Sequence, residues 1–261
     1  SIPETKFIGY EETESKSNIL AKVVKNNRTY IVFDKTPFYA ESGGQVSDTG
    51  EILINGKAYS VIGMNKAGSH FKHVIDGILE DSCTDALLKI DVLRRRRIMQ
   101  NHSATHLLHA ALRKVLGSHV QQAGSLVDEE HLRFDFTHYQ KMKQEEIKEV
   151  EKIVNQKILE ALPRIRYADI EQEKAKEMGA LAFFGDKYGD KVNVIKFGDF
   201  SMEFCGGTHV ENTSDIGFFK ILNESSISSG VRRIEAVTSV GIQKYLEELD
   251  KKLLEKQQEN E

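Results

Sequence analysis

The sequence predicts an α+β protein, on three observations. Residues 15–92 hold short β-branched runs broken by turn dipeptides. Residues 94–116 contain neither Pro nor Gly and repeat apolar residues at helical spacing. Beyond them, strand-like runs and helix-like stretches alternate up to a charged end.

In chain order, Ile19–Val24 and Thr29–Phe33 read as strands around the turn-like Lys25-Asn26-Asn27-Arg28. Glu51–Ile54 and Ala58–Ile62 flank Asn55-Gly56, a strong two-residue hairpin signal. His70–Ile75 is a further alternating run, ended by Asp76-Gly77. Short strands at this spacing suggest a small antiparallel β-barrel over residues 1–92, with a glycine-rich loop, Phe38–Gly50, inside it. Leu107, Leu108, Ala111, Leu112 and Val115 mark a helix that Gly117 closes. Strands follow at Gly124–Val127 and His131–Phe136. Lys141–Leu162 is a second helix with Ile147, Val150, Val154, Ile158 and Leu162 on one face, stopped by Pro163. Arg164–Asp169 reads as a strand and Gln172–Met178 as a short helix. Lys191–Lys196, Phe200–Phe204, Phe218–Glu224 and Arg232–Thr238 complete the strands of a sheet-and-helix part over residues 93–240. Residues 241–261 turn helical and then purely charged, like the start of a linker helix.

Of the 261 residues, 36 are Lys or Arg and 40 Asp or Glu, a formal net charge of −4. That balance excludes a uniformly basic nucleic-acid coat but leaves room for a local patch. Two cysteines, Cys83 and Cys205, are too few for a disulfide scaffold. No run of about 18 apolar residues is present to span a membrane. Ser1–Lys6 lacks the basic and apolar regions of a signal peptide, and the missing initiator Met suggests a processed chain or a piece of a longer one. A cytoplasmic protein with reduced thiols is the expectation.

The chemistry begins at His102-Ser103-Ala104-Thr105-His106. Residues four apart on a helix differ by about 40° around its axis, so both imidazoles point the same way. The second segment, Cys205-Gly206-Gly207-Thr208-His209, places a thiol and an imidazole four apart, with two glycines to let the backbone wrap. Together His102, His106, Cys205 and His209 make a Cys/His₃ set suited to tetrahedral Zn2+. A helix metalloprotease needs Glu directly after the first His. Here that position is Ser103, which excludes the reading.

These residues match a family. His102–His109, Gln121-Gln122-Ala123-Gly124-Ser125, Arg133-Phe134-Asp135-Phe136, Cys205–His209, Gly43-Gly44-Gln45 and Ser229–Glu235 resemble, in order, the editing region of alanyl-tRNA synthetases over residues 5–245. The freestanding AlaX-type editing proteins share the His/His and Cys/His pairs, while the wording of Phe38–Gln45 and Val231–Ala236 looks more like the synthetase.

The resemblance implies the editing core common to threonyl- and alanyl-tRNA synthetases, and hydrolysis of mischarged Ser-tRNA(Ala) and Gly-tRNA(Ala) at a zinc site. The full-length enzyme would ligate alanine to tRNA(Ala) using ATP. No ATP-binding core is recognisable here, so the aminoacylation and C-terminal domains are expected outside this chain. A pocket shaped for Ala rejects Gly or Ser by only about 1–3 kcal/mol, so a second site must test for what the first admits. By resemblance, Thr105 and Gln122 are candidates for a polar test of the serine hydroxyl, with Cys205 beside them as a catalytic candidate. The plain structural alternative for Thr105 is a hydrogen bond to the helix backbone, and for Gln122 an exposed amide. Asp135 and Glu203 are candidate proton acceptors; Asp135 equally suits orienting a ligating His.

Gly43, Gly44, Gln45 and Arg94 are candidate contacts to the tRNA acceptor end, Arg94 as part of Arg94–Arg97. Phe184–Gly189 also resembles a family segment and is expected near the cleft. Two other classes stay open: a complete trans-acting deacylase, and an RNA-binding module in which zinc is structural.

Overall fold

The computed structural model describes residues 2–79, 82–183 and 188–259. The chain divides into two compact units, Ser1–Arg97 and Ile98–Glu261.

In the first unit β1 (Lys6–Phe7) pairs in parallel with β4 (Lys35–Thr36). The strands β2 (Glu14–Lys25), β3 (Arg28–Phe33), β5 (Gly50–Ile54), β6 (Lys57–Ala67), β7 (His70–Asp76) and β8 (Asp85–Ile90) close into an antiparallel barrel in the order β2-β3-β7-β6-β5-β8. Period-two alternation sets the inside: β8 alternates half-buried and buried residues, which sends Ala86, Leu88 and Ile90 inward beside Ile31, Phe33, Ile52 and Ile75. The strand β8 itself escaped the sequence reading. Cys83 packs against this core. The hairpin turns fell where expected: Asn26, Asn27, Asn55 and Gly56 all have positive φ, as two-residue turns between twisted strands require.

Arg95 and Asp48 are both buried. Arg95 Nε lies 3.0 Å from Asp48 Oδ1, and the guanidinium also donates to the Gly9 and Pro37 carbonyls at 2.6 and 2.9 Å. Asp48 Oδ2 in turn accepts the Tyr39 N–H at 2.8 Å. The second arginine of Arg94–Arg97 is therefore a structural clamp on the glycine-rich loop, which takes it out of any phosphate patch.

Helix α1 (Val92–Leu116) carries the boundary between the units. In the second unit, β9 (Gln122–Val127), β10 (Leu132–Thr137), β14 (Phe219–Ser228) and β15 (Val231–Thr238) form a four-stranded antiparallel sheet in the order β14-β15-β10-β9. The strands β11 (Arg164–Glu171), β12 (Lys191–Phe197) and β13 (Ser201–Phe204) form a second sheet. Helix α2 (Gln144–Leu159) buries Val150, Ile153, Val154 and Ile158; α3 (Gln172–Glu177) is short; α4 (Val240–Glu259) buries no residue. The second helix stops before the expected Leu162, because Ala161 adopts φ 53° ahead of Pro163.

From Asn101 to His109 every residue of α1 is buried. Six of those nine are polar, so each needs a partner inside the unit. Asn101 finds two: its side-chain NH₂ donates to the Asp128 carbonyl at 2.8 Å, and its Oδ1 accepts from Thr238 of β15 at 2.6 Å. Glu203 of β13 meets the same helix at His109. Polar pairs thus tie α1 to both sheets.

Candidate metal centre

The remaining polar residues of α1 build the centre. His102 and His106 lie one turn apart on the helix, and β13 runs directly into Cys205-Gly206-Gly207-Thr208-His209. Cys205 N–H donates to the Asn193 carbonyl at 2.9 Å, which holds the loop start to the sheet. Neither Gly206 nor Gly207 has positive φ, so the wrap does not use left-handed backbone. Instead the Gly207 N–H donates to Cys205 Sγ at 3.4 Å, and Arg164 donates to the His209 carbonyl at 2.7 Å.

The fold brings His102, His106, Cys205 and His209 together, with one ligand atom from each lying within 4.8 Å of all the others. Cys205 Sγ is 3.5 Å from His102 Nε2 and 3.2 Å from His209 Nε2. Tetrahedral zinc with bonds of about 2.0–2.3 Å would set neighbouring ligand atoms roughly 3.3–3.7 Å apart. Neither nitrogen of the buried His106 has a hydrogen-bond partner. An orphaned, buried imidazole among soft donors fits a cation.

The electrostatics agree in sign. Burial, and then the neighbouring histidines, hold His102 and His209 well below the usual imidazole range. Burial also lowers His106, although the Glu203 charge works against it. All three are thereby kept neutral, the ligating form. Burial pushes the Cys205 thiol up to about 12, so a thiolate here needs a compensating cation.

Around the four sit residues that hold them. Glu203 Oε2 is 3.6 Å from His106 Nδ1, and Glu203 Oε1 is 2.6 Å from His109 Nδ1. Burial opposes the Glu203 charge, yet the surrounding donors, among them the His109 hydrogen bond and the Arg113 charge, keep the carboxylate below its ordinary range. The sequence offered Glu203 as a proton acceptor and not as a partner of these histidines, a place that strand parity could have suggested, since Glu203 stands two before Cys205 and shares its face. Ser103 Oγ lies 3.0 Å from His209 Nδ1 and accepts the Val210 N–H at 3.1 Å.

Of the other sequence candidates, Thr105 is buried and donates its hydroxyl to the Asn101 carbonyl at 2.9 Å, as a mid-helix threonine does. That bond leaves its oxygen able to accept. Gln122 is half-buried at the start of β9, opposite Phe136, where the β9–β10 register shifts. Asp135 does not orient a ligating histidine: Arg233 grips it at 2.7 and 3.0 Å.

In the first unit, Gly43 and Gly44 form a turn with φ of 57° and 85°. The flanking Ser42 and Gln45 exchange backbone hydrogen bonds, and Gln45 is buried. Arg94, half-buried, donates to the Ser47 carbonyl at 2.8 Å. Of the Phe184–Gly189 segment, residues 184–187 lie outside the described residues.

Two family models match: tRNA synthetases class II (A) over residues 2–91, and the threonyl and alanyl tRNA synthetase second additional domain over residues 192–235. The alanine–tRNA ligase of Thermoanaerobacter sp. (strain X514) is 46% identical over 264 aligned positions, covering 97% of this chain and 30% of the relative. That of Fusobacterium nucleatum is 48% identical over 241 positions, 91% of this chain and 28% of the relative. That of Porphyromonas gingivalis is 45% identical over 256 positions, 96% of this chain and 29% of the relative. The chain thus spans less than a third of the length of these relatives. No helix among the described residues is long and apolar enough to cross a membrane.

Proposed function

From this likeness to alanine–tRNA ligases along nearly the whole chain, we propose that the protein is their editing part: a deacylase that hydrolyses Ser-tRNA(Ala) and Gly-tRNA(Ala) in the cytoplasm. The observation that carries the reading is the convergence of His102, His106, Cys205 and His209 from two segments about a hundred residues apart. These four would hold one zinc ion. When bound, zinc would supply Lewis-acid polarisation of the ester or a more acidic water.

The chain's own residues supply discrimination. By resemblance, the Thr105 oxygen and the Gln122 amide are the candidates to accept from and donate to a serine hydroxyl. An alanyl ester would leave them unpaired, which is the stronger kind of rejection. Glu203, ionised and shared between His106 and His109, sets negative charge behind the ligand cluster and opposes its loss of ligating geometry. Gly43, Gly44, Gln45 and Arg94 are proposed contacts to the acceptor end. Charging of tRNA with alanine is assigned to the rest of the relatives' length, and residues 241–261 to the start of a link toward it.

A second reading is favoured by one feature. Four protein donors are the usual set of a structural zinc site, whereas catalytic sites keep a position open. In that reading the unit binds RNA around a structural ion. Deacylation of Ser-tRNA(Ala) by the chain and by Cys205→Ala decides. Hydrolysis by the first, and at least a hundredfold loss in a folded Cys205→Ala, supports editing; an inactive chain that still binds tRNA supports the module. Gln122→His should slow hydrolysis, and an unchanged rate removes Gln122 from the site.

A further inference from the structure

We propose that Ser103 is a positioning residue of the metal centre, whose hydroxyl fixes the ring and tautomer of His209 so that Nε2 is the nitrogen offered to an ion. The proposal rests on the zinc reading above. Ser103 follows His102 on α1 and is fully buried. Its Oγ lies 3.1 Å from the Val210 nitrogen and 3.0 Å from His209 Nδ1.

The roles follow from what each atom can do once Nε2 faces a cation. A backbone N–H only donates, so Oγ accepts from Val210. A hydroxyl oxygen has a second lone pair, which can accept from a protonated Nδ1. An imidazole protonated at Nδ1 carries its free lone pair on Nε2, the nitrogen 3.2 Å from Cys205 Sγ. One helical side chain thereby grips both the backbone and the ring of a segment more than a hundred residues later. The opposite arrangement, with Ser103 donating to Nδ1, would put a proton on Nε2 and aim it at the sulfur, closing that nitrogen to a cation. In helix metalloproteases the residue after the first His is the general base. Here the same place on the helix serves to orient a ligand from the other segment.

The experiment uses the whole chain with ¹⁵N-labelled histidine, zinc, and a competing chromophoric chelator. The His209 ring signals are assigned by their absence in His209→Gln. Wild-type chain that takes up no zinc overturns the zinc reading itself, and this proposal with it. With one zinc bound, the expected spectrum shows His209 protonated at Nδ1. Ser103→Ala should bind zinc about 10–100-fold more weakly at unchanged circular dichroism. Wild-type chain that binds zinc with His209 protonated at Nε2, or a Ser103→Ala affinity equal to wild type, overturns the positioning role alone. The wild-type spectrum decides even if Ser103→Ala fails to fold.

Discussion

In the first unit Arg95 and Asp48 are 4% and 2% exposed, and the guanidinium is surrounded by a carboxylate and two carbonyls. In the second unit His106 is 1% exposed and neither of its nitrogens has a hydrogen-bond partner. The contrast extends further: among the described residues, every buried side-chain N or O without a hydrogen-bond partner lies in the second unit. A buried polar group that is fully satisfied within the chain serves the architecture. One that is left orphaned beside three other donors waits for something the chain does not supply.

The largest effect should come from Asp48→Ala. It leaves Arg95 buried without its counter-ion and frees the Tyr39 N–H, a loss of about 3–5 kcal/mol for a broken buried pair. Hydrogen exchange resolved by peptide should rise across the barrel strands, while zinc uptake at the second unit stays at wild-type level. Unchanged exchange in the barrel would show that the pair is not architectural.

A slightly smaller effect is expected from acid. His73 lies inside the barrel with Phe33 and Phe38 against its edges. The Ile31 carbonyl, 3.3 Å away, can only accept, so Nδ1 donates to it; Nε2, 2.7 Å from Thr36 Oγ1, is then the acceptor. Every contact of His73 is satisfied by the neutral ring, and burial lowers its pKa to about 4. Below about pH 6.5 the unfolded chain takes up a proton that the folded barrel refuses. Stability of the first unit is therefore full above pH 6.5 and falls by about 3 kcal/mol as the pH drops through 4. Urea midpoints against pH should show this slope, and His73→Gln should flatten it. Alkali should separate the units. The raised Cys205 pKa makes the metal-free second unit lose stability above pH 9, where the unfolded thiol ionises first, and zinc should remove that loss.

Chelation comes next. At free zinc a hundredfold above the dissociation constant, binding to the folded state adds about 2.7 kcal/mol. Removing the ion should raise exchange in α1, β13 and the Cys205–His209 loop and leave the barrel peptides unmoved. Equal loss in both units would break the comparison.

What the sequence disclosed, and what it did not, follows the same division. The barrel was legible because turn dipeptides and period-two alternation are local signals, and Asn55-Gly56 sits where they place a hairpin. The four clustered donors were legible because a four-residue spacing survives in any helix or tight loop. Ser103, the Arg95–Asp48 clamp and the pairing of Glu203 with His106 and His109 were not read, because each depends on which element arrives opposite. Ser103 meets a residue 106 positions away, and Arg95 one 47 positions away. The alternative that had Asp135 orient a ligating histidine failed for the same reason: nothing local announced Arg233 beside it, although β10 and β15 pair those two residues directly.

The smallest prediction tests the first unit where no polar group is at stake. Gly56 has φ of 77° and Gly63 a φ outside the left-handed region, and a Cβ at either would meet nothing within 4 Å. Space is thus equal and only the backbone differs. Gly56→Ala should cost about 1 kcal/mol, because an L side chain in that region crowds the following carbonyl. Gly63→Ala should be neutral or stabilising by about 0.4–1 kcal/mol, since it only narrows the unfolded ensemble. Urea midpoints measure both. If the two variants lost stability equally, the hairpin would be held by packing rather than by turn geometry, and the first unit would owe less to local sequence than its strands suggest.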